Sequence, residues 1–128
     1  MNFLSRLLKK TVLVVEDDPS LNRALVDKLS RSGFMVQEVQ SGNDVIAAVQ
    51  MHKPDIILLD LMLPGRDGMT ILETLRGQDM HFEKPVIILT NLHADNALVG
   101  KAEKLHALFF EKSAIKIADI VEQVKKLA

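Results

Sequence analysis

Asp55-Ile56-Ile57-Leu58-Leu59-Asp60 sets four large aliphatic residues in an unbroken row and closes them with a carboxylate. A surface helix would break such a row with polar residues at helical spacing, and a half-exposed strand would alternate. A strand covered on both faces accounts for it, and parallel strands in α/β proteins are covered in that way. Val12-Leu13-Val14-Val15 and Val86-Ile87-Ile88-Leu89 have the same character. The expected strands are therefore 11–15, 34–39, 55–59, 85–89 and 107–110. Phe34-Met35-Val36-Gln37-Glu38-Val39 is mixed, which suits the edge of a sheet.

Helix signals fill every gap between these strands. Asp18 before Pro19 supplies an N-cap and a first helical residue, and Leu21, Leu25 and Leu29 then share one face up to Gly33. Ser41 with Asp44 reads as a capping box ahead of Val45, Ile46 and Val49. Met69, Leu72 and Leu75 mark a third helix, and Leu98, Ala102 and Leu105 a fourth over about residues 95–105. Ile117, Ile120, Val121, Val124 and Leu127 give the clearest helical period of the chain. Alternating units of this kind make an α/β domain, a (βα)5 doubly wound five-stranded parallel sheet with helices on both faces. Right-handed crossovers favour the strand order 2-1-3-4-5, with ligands bound at the carboxyl ends of the strands beside the switch point.

Composition narrows the function. The 128 residues include no cysteine, so thiolate metal sites and cysteine nucleophiles are excluded. Lys+Arg 16 against Asp+Glu 17 leaves a net charge of -1, which argues against direct nucleic acid binding, since phosphate-neutralising surfaces show as a basic excess. No apolar run approaches the roughly 20 residues of a membrane span, so a cytoplasmic protein without membrane contact is expected. In residues 1–10, Phe3, Leu4, Leu7 and Leu8 are interleaved with Arg6, Lys9 and Lys10, the pattern of either a short amphipathic helix or a frayed leader. The domain proper is expected over 11–128, as a complete single-domain protein or as part of a longer one. His52, His81, His93 and His106 have no paired metal-ligand spacing and read as surface or loop residues.

The residues that follow the strands carry the chemistry. Glu16 and Asp17 follow the first, Asp60 the third, Thr90 the fourth and Lys112 the fifth. Singly, each has an ordinary reading: a solvated loop acid for Glu16 or Asp17, a backbone-satisfying hydroxyl for Thr90, a surface lysine for Lys112. Asp60 is harder to explain so, because a charge closing a buried strand needs a partner. Two strands flanking the switch point bring at least two of these acids within about 4 to 6 Å, and like charges 4 Å apart repel by about 4 kcal/mol at an effective dielectric near 20. A hard divalent ion relieves that repulsion, and a few carboxylates, a carbonyl and several waters suit Mg2+. An aspartate beside such an ion, with a hydroxyl and an ammonium nearby, can attack phosphorus in line to form an acyl phosphate.

Val14-Val15-Glu16-Asp17-Asp18-Pro19, Asp60-Leu61-Met62-Leu63-Pro64-Gly65-Arg66-Asp67-Gly68, Leu89-Thr90 and Phe109-Phe110-Glu111-Lys112 together resemble the receiver domain of bacterial two-component response regulators, over about residues 11–127. The resemblance implies a flavodoxin-like phosphoprotein of a phosphorelay, with Asp60 as phosphoacceptor. It implies that Asp17, Asp60 and the Met62 backbone carbonyl ligand Mg2+, with Glu16 acting through a bound water. Thr90 and Lys112 would contact the phosphoryl group, and Thr90 and Phe109 would switch. For Phe109 simple core packing is the competing reading. Pro64 and Gly68 would shape the loop that presents the site. The implied partners are a histidine kinase or phosphotransfer protein and a downstream protein or effector domain. A phosphorylation-dependent dimer is expected through the exposed faces of the fourth and fifth helices.

Two positions and one short segment depart from the family pattern. Asn91 replaces the usual small residue after the threonine. Ser113 replaces the proline after the lysine, where a cis bond would cost about 3 to 4 kcal/mol, so a trans peptide and a rearranged fifth loop are expected. Lys104-Leu105-His106 stands where the family usually has Ala-Gly-Ala. The rival reading is a degenerate receiver that binds partners without phosphorylation. A small phosphohydrolase of the haloacid dehalogenase type would need a second aspartate where Met62 stands.

Overall fold

A computed structural model describes Leu4 and residues 8–91 and 96–128. Strands β1 (Thr11–Val15), β2 (Met35–Val39), β3 (Ile56–Leu59), β4 (Val86–Thr90) and β5 (Ala107–Glu111) form one five-stranded parallel sheet. Their order is β2-β1-β3-β4-β5, as expected, with the mixed strand at one edge. Helices α1 (Pro19–Arg31), α2 (Val45–His52), α3 (Gly68–Arg76), α4 (Asn96–Lys104) and α5 (Ile117–Leu127) make the connections and close the chain.

The unbroken aliphatic rows resolve into two cores because successive side chains of a strand point to opposite faces. Leu13, Val15, Ile57, Leu59 and Ile88 pack with Val45 and Val49 of α2, Ile71, Leu72 and Leu75 of α3 and Ala102 of α4. Val12, Val14, Ile56, Leu58, Ile87 and Leu89 pack with Leu25 and Leu29 of α1 and Ile120, Val121 and Val124 of α5. Full burial of such a side chain stabilises the fold by about 1.5–3 kcal/mol, and most of these are wholly buried.

Register then fixes where the functional residues emerge. Val15 lies opposite Leu59, and Leu59 opposite Ile88. The residues just beyond β1 and β3 therefore leave the sheet side by side, and the Asp60 N–H donates to the Val15 carbonyl at 3.0 Å.

Asp18 caps α1 as expected, accepting the Ser20 N–H at 3.0 Å, with Pro19 opening the helix. The capping box at Ser41 does not form. Ser41 accepts from the Asn43 N–H and opens a 3-10 turn, Gly42–Asp44, and Asp44 makes no capping bond. The turn is held instead by a long-range bond, Gly42 N–H to the Pro64 carbonyl at 3.0 Å. Strand limits shift slightly: Phe34, Asp55 and Pro85 lie outside the sheet, while Thr90 and Glu111 lie inside it. The expected start of the fourth helix at Asp95 and all but Leu4 and Leu8–Lys10 of the leader lie outside the described residues, as does His93. His81 and His106 are exposed, and His52 is half-buried at the end of α2.

Candidate functional site

Glu16 and Asp60 are each almost fully buried, at 2% and 3% exposure. Each carboxylate is tied down locally: Glu16 Oε1 accepts the Asp18 N–H at 3.0 Å and Asp60 Oδ1 the Met62 N–H at 3.0 Å. Lys112 reaches across from β5 to join them. Its Nζ donates to Asp60 Oδ2 and to the Glu16 carboxylate, both at 2.8 Å. Asp17 is exposed and completes a trio, since one carboxylate oxygen from each of Glu16, Asp17 and Asp60 lies within 4.8 Å of the others.

One ammonium among three acids leaves an excess of negative charge. Burial pushes the Glu16 carboxyl above its usual range, against the pull of the Lys112 and Asp18 hydrogen bonds, and the Asp60 charge pushes it further. Burial alone would draw the Lys112 ammonium down, but its hydrogen bonds to Asp60 and Glu16 and their charges overcome this and hold it above its ordinary value. Lys112 is therefore a firmly charged cation shared between two buried carboxylates, with Asp17 open to solvent beside them. The donor set is all oxygen, which suits a hard divalent cation rather than a soft one.

Thr90 is fully buried as the last residue of β4, in register with Glu111, the neighbour of Lys112. Phe109 is half-buried and packs against the core cluster to which α2 and α3 contribute. Met62 gives its N–H to Asp60 while the residue is 53% exposed. Asn91 is exposed. The Lys112–Ser113 bond is trans, and a 3-10 turn, Lys112–Ala114, follows β5 without preventing the lysine from reaching both acids.

The loop after Asp60 has little freedom. The Gly68 N–H donates to the Leu61 carbonyl at 3.2 Å. A Cβ on Gly68 would come within 2.7 Å of the Asp60 carbonyl oxygen and 2.5 Å of the Leu61 Cα, so only glycine lets α3 start this close to the acid. Asp67 caps the same helix, accepting from the Thr70 N–H at 3.4 Å and its hydroxyl at 3.1 Å.

One residue at the site escaped the reading of the sequence. Asn22 is 3% exposed, and its Nδ2 donates to the Glu16 backbone carbonyl at 3.0 Å. The available signal was its place in the helix: with Leu25 and Leu29 it forms the buried stripe of α1, where an amide is out of character.

A family model for the response regulator receiver domain matches residues 12–125. Solved structures agree. The BeF3-activated N-terminal receiver domain of Klebsiella pneumoniae RstA is 29% identical, with TM-score 0.81 over 92% of this chain and 97% of that one. The signal receiver domain of a putative Luxo repressor protein from Vibrio parahaemolyticus is 28% identical, with TM-score 0.83 over 93% and 89%. That of the putative response regulator NarL from Mycobacterium tuberculosis is 29% identical, with TM-score 0.78 over 92% and 94%. A match that runs through all five strands and ends inside the last helix is a match of the whole domain, and this chain belongs to the response regulator receiver domain family.

Proposed function

We propose that the chain is a phosphorylation-controlled signalling switch of a two-component system. Asp60 accepts a phosphoryl group from a histidine kinase or phosphotransfer protein, with Mg2+ as cofactor. The observation that carries this reading is the buried Asp60 carboxylate, held at 2.8 Å by Lys112 and flanked by two further acids that converge with it. A purely structural carboxylate has no use for two more acids at close range, since they only raise its cost.

Asp60 forms an O–P bond as the P–N bond of the donor's phosphohistidine breaks, and the leaving imidazole keeps the bond's electron pair. Asp17, Asp60 and the Met62 carbonyl would hold Mg2+, with Glu16 acting through a bound water. The ion supplies charge neutralisation to the transferring phosphoryl oxygens. Lys112 pairs with the phosphoryl charge, as it already pairs with Asp60. The Thr90 hydroxyl donates to a phosphoryl oxygen, and Thr90 and Phe109 shift when the group arrives. The added charge of about -1.5 to -2 biases a pre-existing equilibrium of the partner-binding face.

The output is a protein partner, an effector domain or a phosphorylation-dependent dimer through α4 and α5, with no direct nucleic acid binding and no membrane contact by this domain. Its place is the cytoplasm, and no described helix is long and apolar enough to cross a membrane. The protein is not an enzyme with a diffusible substrate, because it catalyses only its own phosphorylation and dephosphorylation.

The test is intact mass after incubation with acetyl phosphate. Wild type gains one phosphoryl group with Mg2+ and none with EDTA, and Asp60→Asn gains none. If neither acetyl phosphate nor beryllofluoride with Mg2+ engages Asp60, the chain is a constitutive interaction module.

A further inference from the structure

Asn22 does more than fill its place in α1. The orientation of its amide is fixed, because turning it would set Oδ1 against the Glu16 carbonyl, acceptor against acceptor. Its Nδ2 therefore pins the backbone from which Glu16 and Asp17 project. Its Oδ1 is the one buried side-chain nitrogen or oxygen without a hydrogen-bond partner among the described residues. Leu25 and Leu29, on the same stripe, show what a residue that only packs would be. An unanswered buried acceptor is costly in a fold, and such groups mark places where a partner arrives. Asn22 also borders an open hollow of about 690 Å3 together with Asp17, Arg23, Glu38 and Gln40.

We propose that Asn22 is a positioning residue of the cation site, with a separate job for each end of its amide. Nδ2 holds the Glu16 carbonyl and so sets the turn that carries the acids. Oδ1 accepts a hydrogen bond from a water in the shell of the bound cation. The inference rests on the Mg2+ reading above. A magnesium ion held by few carboxylates keeps several waters, and those waters need acceptors around them. Glu16, which would act through one such water, already accepts from Lys112 and the Asp18 N–H, so the shell needs a further acceptor, and Asn22 borders the same hollow as Asp17. Outer partners of this kind tune metal affinity by about tenfold or more.

The test compares wild type, Asn22→Leu, Asn22→Ala and Asp17→Asn by calorimetric Mg2+ titration and by melting without Mg2+. Leucine keeps the volume and removes both polar ends; alanine guards against overpacking. Both Asn22 variants are expected to weaken Mg2+ binding by about three- to tenfold, the worth of one lost hydrogen bond. Acetyl phosphate labelling of either variant should need that much more Mg2+ for half-maximal rate, and should recover the wild-type rate at saturation. Mg2+ affinity within twofold of wild type in both variants would overturn the proposal and leave Asn22 a packing residue. Wild type that binds Mg2+ no better than Asp17→Asn would instead overturn the cation reading itself, and this inference with it.

Discussion

Lys112 and Arg76 are both half-buried cations, and they stand at opposite ends of one sheet. Lys112, beyond the carboxyl end of β5, meets carboxylates at 2.8 Å. Arg76 closes α3 and meets backbone carbonyls ahead of β4 and β5: Leu105 at 2.9 Å, Phe82 and Lys84 at 2.7 Å and His106 at 3.2 Å. It also lies over the Phe82 ring, 5.8 Å from the centroid. Burial draws its guanidinium below the usual value while Glu83 pulls the other way, and it stays charged because a guanidinium effectively always does. The carbonyls it satisfies are neutral and have no second state. At the Lys112 end the acids outnumber the cation, so an arriving ion or phosphoryl group changes the charge balance. The Arg76 arrangement is a frame and the Lys112 arrangement is a site.

The largest effect on the frame should come from Arg76→Met, which strands several backbone carbonyls. It is expected to lower stability by about 2–4 kcal/mol in urea unfolding while phosphoryl uptake per folded molecule stays at the wild-type rate. A comparable loss of uptake would break the comparison, because it would make Arg76 part of the site. Gly68→Ala should cost about 1–3 kcal/mol through the close approach to Leu61 and Asp60, and here uptake should slow as well, since the loop that holds the acceptor must move.

Asp17→Asn should act in the opposite direction. Without Mg2+ the melting point should rise, by about 0.5–1 kcal/mol of added stability, because an exposed member of the acidic trio no longer repels the others. The rise of stability expected for wild type on adding Mg2+ should vanish.

The smallest effect is in alkali. A lysine whose folded-state pKa is raised contributes stability that is fully present below its unfolded value near 10.5 and is lost as pH rises through the folded value. Wild type should therefore lose stability more steeply above pH 10.5 than Lys112→Met, as followed by circular dichroism.

The site was more legible in the sequence than the frame. Glu16, Asp17, Asp60, Thr90 and Lys112 all stand at strand ends, and apolar rows locate strand ends well. Once the strand order followed from the crossover rule, the convergence of Glu16, Asp17, Asp60 and Lys112 followed too. Arg76 left no comparable trace, because its partners at Leu105 and His106 lie far along the chain and are backbone carbonyls that every residue has. The expected capping box at Ser41 and Asp44 gives way to a turn for the same reason: the decisive bond of Gly42 is to Pro64, not to its own helix. Asn22 was visible as a polar residue on an apolar stripe, but only the buried contact with Glu16 gives that oddity a purpose.

Hydrogen exchange read by mass spectrometry, with and without Mg2+ and beryllofluoride, tests the contrast most directly. The account predicts altered exchange at residues 16–18, 60–63, 90–91 and 111–113, with segments 77–85 and 104–106 around Arg76 unchanged. Altered exchange centred on the Arg76 segments, or none at the strand ends, would contradict it.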